Sequence, residues 1–373
     1  MLRLHKALYG LRQAPRAWNQ KLDASLLGLD FTRCVDEHGM YVRGKGTGRL
    51  IVGVYVDDLI ITGGDAGAVN KFKAQMMSTF RMSDLGLLSY YLGLEVSQGA
   101  AGITIRQTAY ASKILEKAGM VGCNASATPM EPKLKLLKEG TTPSVDATEY
   151  RSIIGSLRYL CNSRPDLAYS VGYLSRFMEA PRQEHLAAVK RVLRYVAGTQ
   201  QWGLHYHPGK KNTGVPKLLG YSDSDLAGDV NDRKSTSGLI FFLAGGPIAW
   251  QSAKQRVVAL SSCEAEYIAA AGAACEAVWL ARLLAELIGG AVLAPKLKVD
   301  NKSAIALVKN PVHHDRSKHI DVKFHFIRDC CDRKLIDVEF VGTEFQLGDI
   351  LTKALGRNRF QELRDEIGMK KLE

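Results

Sequence analysis

The chain is 373 residues long, with 50 lysines and arginines against 38 aspartates and glutamates, a formal net charge of +12. That length accommodates two to three domains with sizeable cores, and 46% hydrophobic with 24% charged residues excludes a fibrous or disordered chain. The positive excess points to a polyanionic partner, nucleic acid foremost, against the plainer alternative of a solvated basic surface, and the seven scattered cysteines, odd in number and without zinc-ribbon spacing, suggest a reducing intracellular setting, cytoplasmic or nuclear.

The opening Met1-Leu2-Arg3-Leu4-His5-Lys6 is not followed by the apolar core of a secretory signal. A turn-rich basic segment, residues 8–18, leads into a helix beginning near Pro15, because proline is tolerated in a first turn. Residues 52–56 and 59–61 read as two strands joined at Asp57-Asp58. The stretch 51–62 is the most apolar of the chain, yet too short to span a bilayer and broken by those two aspartates, so no membrane role is expected. An amphipathic helix over 69–80 follows, then short strands and a helix over 108–118. Residues 123–146, rich in Pro, Lys and Thr, read as a linker. Residues 150–196 are mostly helical, with breaks at Arg164-Pro165 and Ala180-Pro181, and 207–216, carrying Lys210 and Lys211, is a second linker. Strands over 218–222, 237–243 and 247–251 then precede a helix from about 264 to 287, a strand over 297–299, further helices and a strand over 336–341. That mixed order is the pattern of a sheet flanked by helices.

Four acids of this last region, Asp223, Glu266, Asp300 and Asp349, each stand where the local pattern aims a carboxylate at a common point. Alternation along 218–223 puts Leu219, Tyr221 and Asp223 on one strand face. Of Glu264 and Glu266, the latter lies at helical spacing with Ala269, Ala270 and Ala273 and is the inward one. Asp300 follows Lys296-Leu297-Lys298-Val299 at the carboxyl end of a strand, a favoured ligand position in open sheets. Asp349 begins a later helix. Singly, each aspartate is more often a cap or turn residue; together they repel unless cations are present. Magnesium prefers such oxygen ligands, and two ions roughly 4 Å apart activate water and stabilise the leaving oxygen of a phosphodiester. Upstream, Asp57 and Asp58 form a second acidic pair at a hairpin tip. A tight Asp-Asp turn is the structural alternative there, but metal-assisted nucleotidyl transfer also uses such a pair.

These residues resemble a known family, the copia-type retrotransposon Pol polyproteins. The resemblance is carried by 220–229 around Tyr221-Ser222-Asp223-Ser224-Asp225, by Asp232-Arg233-Lys234-Ser235-Thr236-Ser237-Gly238, and by Ser261-Ser262-Cys263-Glu264-Ala265-Glu266-Tyr267. Val299-Asp300-Asn301-Lys302-Ser303-Ala304, Lys318-His319-Ile320-Asp321 and Asp349-Ile350-Leu351-Thr352-Lys353 continue it through the family's ribonuclease H region. Tyr55-Val56-Asp57-Asp58 is similar to the Tyr-X-Asp-Asp motif of reverse transcriptases, and residues 8–18 to the segment before it, which implies nucleotide and template contacts at Gly10, Arg12 and Gln13. The resemblance extends through 80–96, 150–155, Arg164-Pro165-Asp166 and 194–199, nearly the whole chain.

The resemblance implies an α/β and α+β multidomain protein. Its parts are a partial reverse transcriptase palm (1–66), a thumb-like region (67–125), a linker and helical connection region (126–215), a ribonuclease H-like mixed sheet flanked by helices (216–358) and a tail (359–373). It implies hydrolysis of RNA in RNA–DNA hybrids, with two Mg2+ ions, replaceable by Mn2+, on Asp223, Glu266, Asp300 and Asp349. Asp57 and Asp58 become a polymerase metal-binding remnant, because the family's earlier palm aspartate is expected upstream of residue 8, and no polymerase activity is expected of this chain alone. Implied partners are the hybrid or other nucleic acid, the N-terminal polymerase part and other retroelement proteins. Cellular enzymes of this fold carry a histidine before the last aspartate; the matching loop here is Val341-Gly342-Thr343-Glu344. Two alternatives remain open: a non-catalytic nucleic-acid-binding remnant, and a DNA-directed nuclease of the same fold.

Other signals carry less. His313, His314, His319 and His325 with Cys330 and Cys331 match no standard zinc spacing. Lys190, Arg191 and Arg194 share a helical side suited to phosphates or to plain solvation. Gly63-Gly64 and Gly289-Gly290 read as turns, and Tyr90 and Tyr91 as core residues.

Overall fold

A computed structural model describes residues 7–8, 10–208, 215–309 and 322–372. The chain forms two compact units, Met1–Leu88 with Trp279–Val292, and Ser89–Val278 with Leu293–Glu373.

In the first unit, helix α1 (Ala14–Gly28) starts with proline in its first turn, where the missing N–H has no partner to lose. It buries Leu22 and Leu26, one turn apart. A four-stranded antiparallel sheet follows in chain order: β1 (Thr32–Arg33), β2 (Met40–Arg43), β3 (Leu50–Tyr55) and β4 (Asp58–Gly63). Helix α2 (Ala66–Thr79) is capped by the Asp65 carboxylate, which accepts from the Gly67 amide at 2.8 Å. Phe72 and Met76 of α2 join Leu22, Leu26, Phe31, Tyr41, Leu50 and Val52 in one core.

The second unit holds two sheets. One is antiparallel throughout, in the order β14-β8-β7-β6-β5: β5 (Tyr90–Tyr91), β6 (Leu94–Gly99), β7 (Gly102–Arg106), β8 (Trp202–Tyr206) and β14 (Met369–Lys371). Tyr90 is 62% exposed, so the expected core position fails there: a two-residue edge strand has one face uncovered. Helices α3 (Thr108–Lys117), α4 (Ala147–Leu160), α5 (Ala168–Leu174) and α6 (Gln183–Gly198) supply the core, with Ile154, Leu157, Val171, Leu174, Val192 and Val196 almost wholly buried. At the Arg164-Pro165-Asp166 break a buried Arg164–Asp166 pair at 2.7 Å is closed by Tyr195, whose hydroxyl donates to Asp166 at 2.7 Å, and by the Thr199 carbonyl, which accepts from Arg164 at 3.0 Å. A buried ion pair is tolerable only when its remaining polar atoms are satisfied in this way.

Residues 123–146 contain no helix or strand, but they are not a free linker. Met130 and Leu136 are buried in the same core, and the Leu136 amide donates to the Tyr173 hydroxyl at 3.1 Å. Isolated apolar residues in a Pro-rich run have no periodicity to reveal their burial. Lys210 and Lys211 of the second linker lie outside the described residues.

The second sheet has the order β11-β10-β9-β12-β13. Strands β9 (Leu218–Ser224), β10 (Thr236–Leu243) and β11 (Gly246–Lys254) pair antiparallel, whereas β12 (Lys296–Val299) is parallel to both β9 and β13 (Asp337–Phe340). Helices α7 (Ser262–Ile288), α8 (Lys302–Lys309), α9 (Phe326–Asp332) and α10 (Arg357–Glu366) complete the described set. The mixed α/β architecture expected from the sequence is observed. Helix α7 is long and apolar enough to cross a membrane by length and composition, a stretch longer than the one singled out at 51–62. Its apolarity has a local use: Ala265, Ala269, Ala270, Ala273, Ala274 and Ala277 are all buried.

Candidate metal centre

The centre is assembled from three elements of the second sheet's layer and one turn. Asp223 comes near the end of β9 and is 1% exposed. Glu266 comes from the first turns of α7, which is tied to the strands at two points. The Ser224 amide donates to Glu266 Oε1 at 3.1 Å, and Gln255 Nε2 donates to the Ala265 carbonyl at 2.9 Å. Glu264 does different work, its Oε2 accepting from the Leu260 amide at 2.9 Å at the helix start. Asp300 directly follows β12. Asp223, Glu266 and Asp300 each offer an oxygen, all within 4.8 Å of one another.

Asp349 arrives differently. It lies in a short 3-10 turn, Leu347–Leu351, rather than at the start of an α-helix. The turn is pinned by buried Gln346, which donates from Nε2 to the Ser222 carbonyl at 2.9 Å and accepts the Gly348 amide at 3.0 Å. Two glycines permit the approach. A Cβ on Gly348 would stand 2.8 Å from Asp223 Cβ, and one on Gly238 of β10 would stand 2.8 Å from both Leu351 Cβ and Thr352 Cγ2. Asp349 then meets Asp223 through Lys353, whose Nζ is 2.6 Å from Asp349 Oδ1 and 3.5 Å from Asp223 Oδ2. The Thr352 hydroxyl also donates to Asp223 Oδ2. In the sequence Thr352 and Lys353 stand only as the end of the motif that begins at Asp349; the signal for a role is the four-residue Asp349–Lys353 spacing, which sets an acid and a base on one side of a turn.

Burial shapes the charge of this group. Glu266 is held well above the usual carboxylate range by desolvation first, then by Asp223 and Asp300. Asp300 is raised by burial and by Asp223, with the charge of Lys353 and a hydrogen bond from the Thr343 side chain working against the rise. Asp349 is raised by burial and Asp223, against the pull of Lys353. Thr343 sits in the loop where cellular enzymes of the resembled fold have histidine. Among the described residues nothing hydrogen-bonds Glu266 Oε2, although Glu266 is 6% exposed. An unpartnered buried carboxylate oxygen, facing further carboxylates, is costly without a cation. The donor set is oxygen alone, which fits a hard divalent ion such as Mg2+ and not a thiolate- or imidazole-seeking one.

The upstream acids are placed elsewhere. Asp57 and Asp58 are exposed at the β3–β4 tip, and among the described residues no third acid joins them in a metal-holding group. The tip is anchored by Trp18, whose Nε1 donates to the Val56 carbonyl at 2.7 Å, and Val56 takes φ +55°. A β-branched residue rarely adopts that left-handed conformation. Gly10, Arg12 and Gln13 are exposed. Arg191 is engaged by Glu131 at 2.7 Å and by Thr128 at 3.1 Å. His313, His314 and His319 of the discounted zinc set, and the motif 318–321, lie outside the described residues, while His325 Nδ1 meets the Tyr267 hydroxyl at 2.8 Å.

The fold and site define a mixed α/β protein with a buried, all-carboxylate centre at one end of a five-stranded sheet. The family model described as reverse transcriptase (RNA-dependent DNA polymerase) matches residues 1–132. The retrovirus-related Pol polyprotein from transposon RE1 of Arabidopsis thaliana is 41% identical over 98% of this chain and 25% of its own length. A putative transposon Ty5-1 protein of Saccharomyces cerevisiae is 36% identical over 72% of this chain and 86% of its own length. The chain belongs to the family of copia-type retrotransposon Pol polyproteins. It spans about a quarter of the length of the Pol polyproteins it matches. Among solved structures, an N-terminal RNase H domain from Mycobacterium tuberculosis, fused to maltose-binding protein, covers 41% of this chain and 98% of its own at 13% identity and a TM-score of 0.27.

Proposed function

We propose that the C-terminal domain, residues 216–358, is a ribonuclease H-type endonuclease that hydrolyses the RNA strand of RNA–DNA hybrids with divalent metal, Mg2+ or Mn2+. The observation that carries this is the convergence of Asp223, Glu266 and Asp300 within 4.8 Å, with a buried Glu266 oxygen left unpartnered. Asp223, Glu266, Asp300 and Asp349 would hold the ions, which when bound supply an activated water and charge for the scissile phosphate. Asp223, fixed by Thr352 and Lys353, is the residue both halves of the centre share. The half-buried Asp300 sits where the centre meets solvent and a phosphate can approach. The net charge of +12 favours a polyanion and makes binding salt-sensitive, and an A-form duplex is recognised by its wide minor groove without sequence reading. An intracellular setting belongs to the same proposal; it suits seven free thiols.

The test is cleavage of a labelled RNA–DNA hybrid, duplex RNA and duplex DNA, with Mg2+ and with EDTA. Cleavage confined to the RNA strand of the hybrid, dependent on Mg2+ and absent in Asp300→Asn, supports the proposal. Preferential cutting of duplex DNA favours the DNA-directed alternative, and binding without cutting favours the non-catalytic one. Polymerase chemistry is proposed to be absent from this chain by itself, since Asp57 and Asp58 are exposed and have no third acid among the described residues. Primer extension on an RNA template by the purified chain would count against that.

A further inference from the structure

The four carboxylates do not share their surroundings equally. Asp223, Glu266 and Asp300 face one another with no ammonium or guanidinium within salt-bridge distance of Glu266 or Asp300 among the described residues. Asp349 has a cation already: Lys353 Nζ stands 2.6 Å from its Oδ1 and 3.5 Å from Asp223 Oδ2, in the gap between the two acids. The Lys353 side chain is 40% exposed, whereas Asp223 beside it is almost wholly buried. The turn beneath it, by contrast, is fixed by Gln346 and by the close passages at Gly238 and Gly348.

We propose that Lys353 is a displaceable counter-ion that makes the two halves of the centre unequal toward metal. A first ion among Asp223, Glu266 and Asp300 meets the ammonium only at the 3.5 Å contact with Asp223 and at longer range, whereas an ion held by Asp223 and Asp349 takes the place of the ammonium itself and binds only as it withdraws. This rests on the cation-holding reading of the site given above. Two cations cannot occupy one gap between two carboxylates without mutual repulsion, and the rigid turn leaves the long lysine side chain as the part that moves. Lysine suits this use: it is a single point charge on a flexible stem. With metal scarce, the ammonium offsets part of the repulsion between Asp223 and Asp349 that metal would otherwise relieve. Lys353 is thus a positioning residue, acting on the reaction through the ion it excludes or admits.

The experiment is a calorimetric Mn2+ titration of the full chain without substrate, comparing wild type with Lys353→Met and Lys353→Arg, and using Asp349→Asn to mark the second event. The expected result is two unequal events in wild type. In Lys353→Met the weaker event tightens by about tenfold or more, as removal of a close charge competitor should give, while the tighter event changes little. Lys353→Arg keeps the gap between them. One event in wild type and two in Lys353→Met is the same result at its limit. A second affinity unchanged or weakened in Lys353→Met, or a second event missing from both proteins, overturns the inference and leaves the cation-holding reading standing. Failure of any Mn2+ to bind either protein overturns both.

Discussion

The backbone amide of Ser224 donates to Glu266 Oε1 at 3.1 Å, so the helix glutamate is locked to the strand residue next to Asp223. That bond fixes one oxygen of Glu266 and leaves the other buried and unpartnered among the described residues. The centre is therefore pre-shaped by backbone, and its like charges are held together at a cost to the metal-free fold.

Removing one of those charges should separate stability from activity. Asp300→Asn keeps the shape of the side chain and relieves repulsion on Asp223 and Glu266, both named in the shifts of this group. In EDTA its Tm is expected to exceed that of wild type by about 1–2 °C, the shift that about 1 kcal/mol gives a chain of this size. Mg2+-dependent hybrid cleavage is expected to vanish. A lower Tm with native circular dichroism would show that Asp300 holds the fold rather than the ion.

Glu266 sets a pH dependence. Its folded-state pKa is raised above the ordinary 4.5, so from that value upward the folded state binds more protons than the unfolded one. Stability from this site is then greatest at and below about pH 4.5 and falls as pH rises toward the shifted pKa. Metal replaces the proton, so the Tm gain from Mg2+ should grow with pH across the same interval. Thermal melts at several pH values, with EDTA and with Mg2+, check both slopes. In Glu266→Gln the EDTA slope should flatten.

Much of this geometry is legible in the chain. The alternation Leu219, Tyr221, Asp223 fixes the strand face, and the alanines after Glu266 separate it from Glu264, which the structure uses to cap the helix start. Asp300 follows its strand as the run Lys296–Val299 indicates. The spacing of Lys353 from Asp349 is local, but the approach of Lys353 and Thr352 to Asp223 is not legible, because it depends on a turn crossing a distant strand at Gly238, a contact with no local pattern. The antiparallel sheet is hidden for the same reason: Met369 pairs with Leu204, far back along the chain. The buried Met130 and Leu136 sit in a run whose composition speaks only of turns.

The close passage at Gly348 gives a steric test. A Cβ there would stand 2.8 Å from Asp223 Cβ and 3.1 Å from its amide nitrogen, so Gly348→Ala must push the turn off the strand. Overpacking of this kind costs about 1–3 kcal/mol. Because the displaced turn carries Asp349 and Lys353, loss of the weaker Mn2+ event is expected even where urea denaturation shows the fold retained at 25 °C. Intact Mn2+ binding in a destabilised Gly348→Ala would mean that the turn relaxes without moving Asp349.

His185 gives a pH effect of opposite sign. It is fully buried and stacked on Phe177 with ring centroids 4.0 Å apart. Its Nδ1 accepts the Arg182 amide at 3.0 Å, and its Nε2 lies 3.0 Å from the Leu137 carbonyl. Only the neutral ring with the proton on Nε2 satisfies both bonds, and burial lowers the pKa despite the carbonyl and Glu184. Below the ordinary 6.5 the unfolded chain takes up a proton that the folded one refuses, so stability is full above that value and lost as pH falls through it. Glu266 drives the opposite trend, which makes Glu266→Gln the background for the measurement. In that background His185 contributes a drop in urea midpoints between pH 7 and pH 5, which Asp225 and Asp349, both raised to about 6, partly offset. Adding His185→Gln should flatten the drop and lower stability at pH 7 by about 1–3 kcal/mol, the cost of leaving buried partners unsatisfied. An acid drop that persists undiminished in the double variant would assign the transition to groups other than His185.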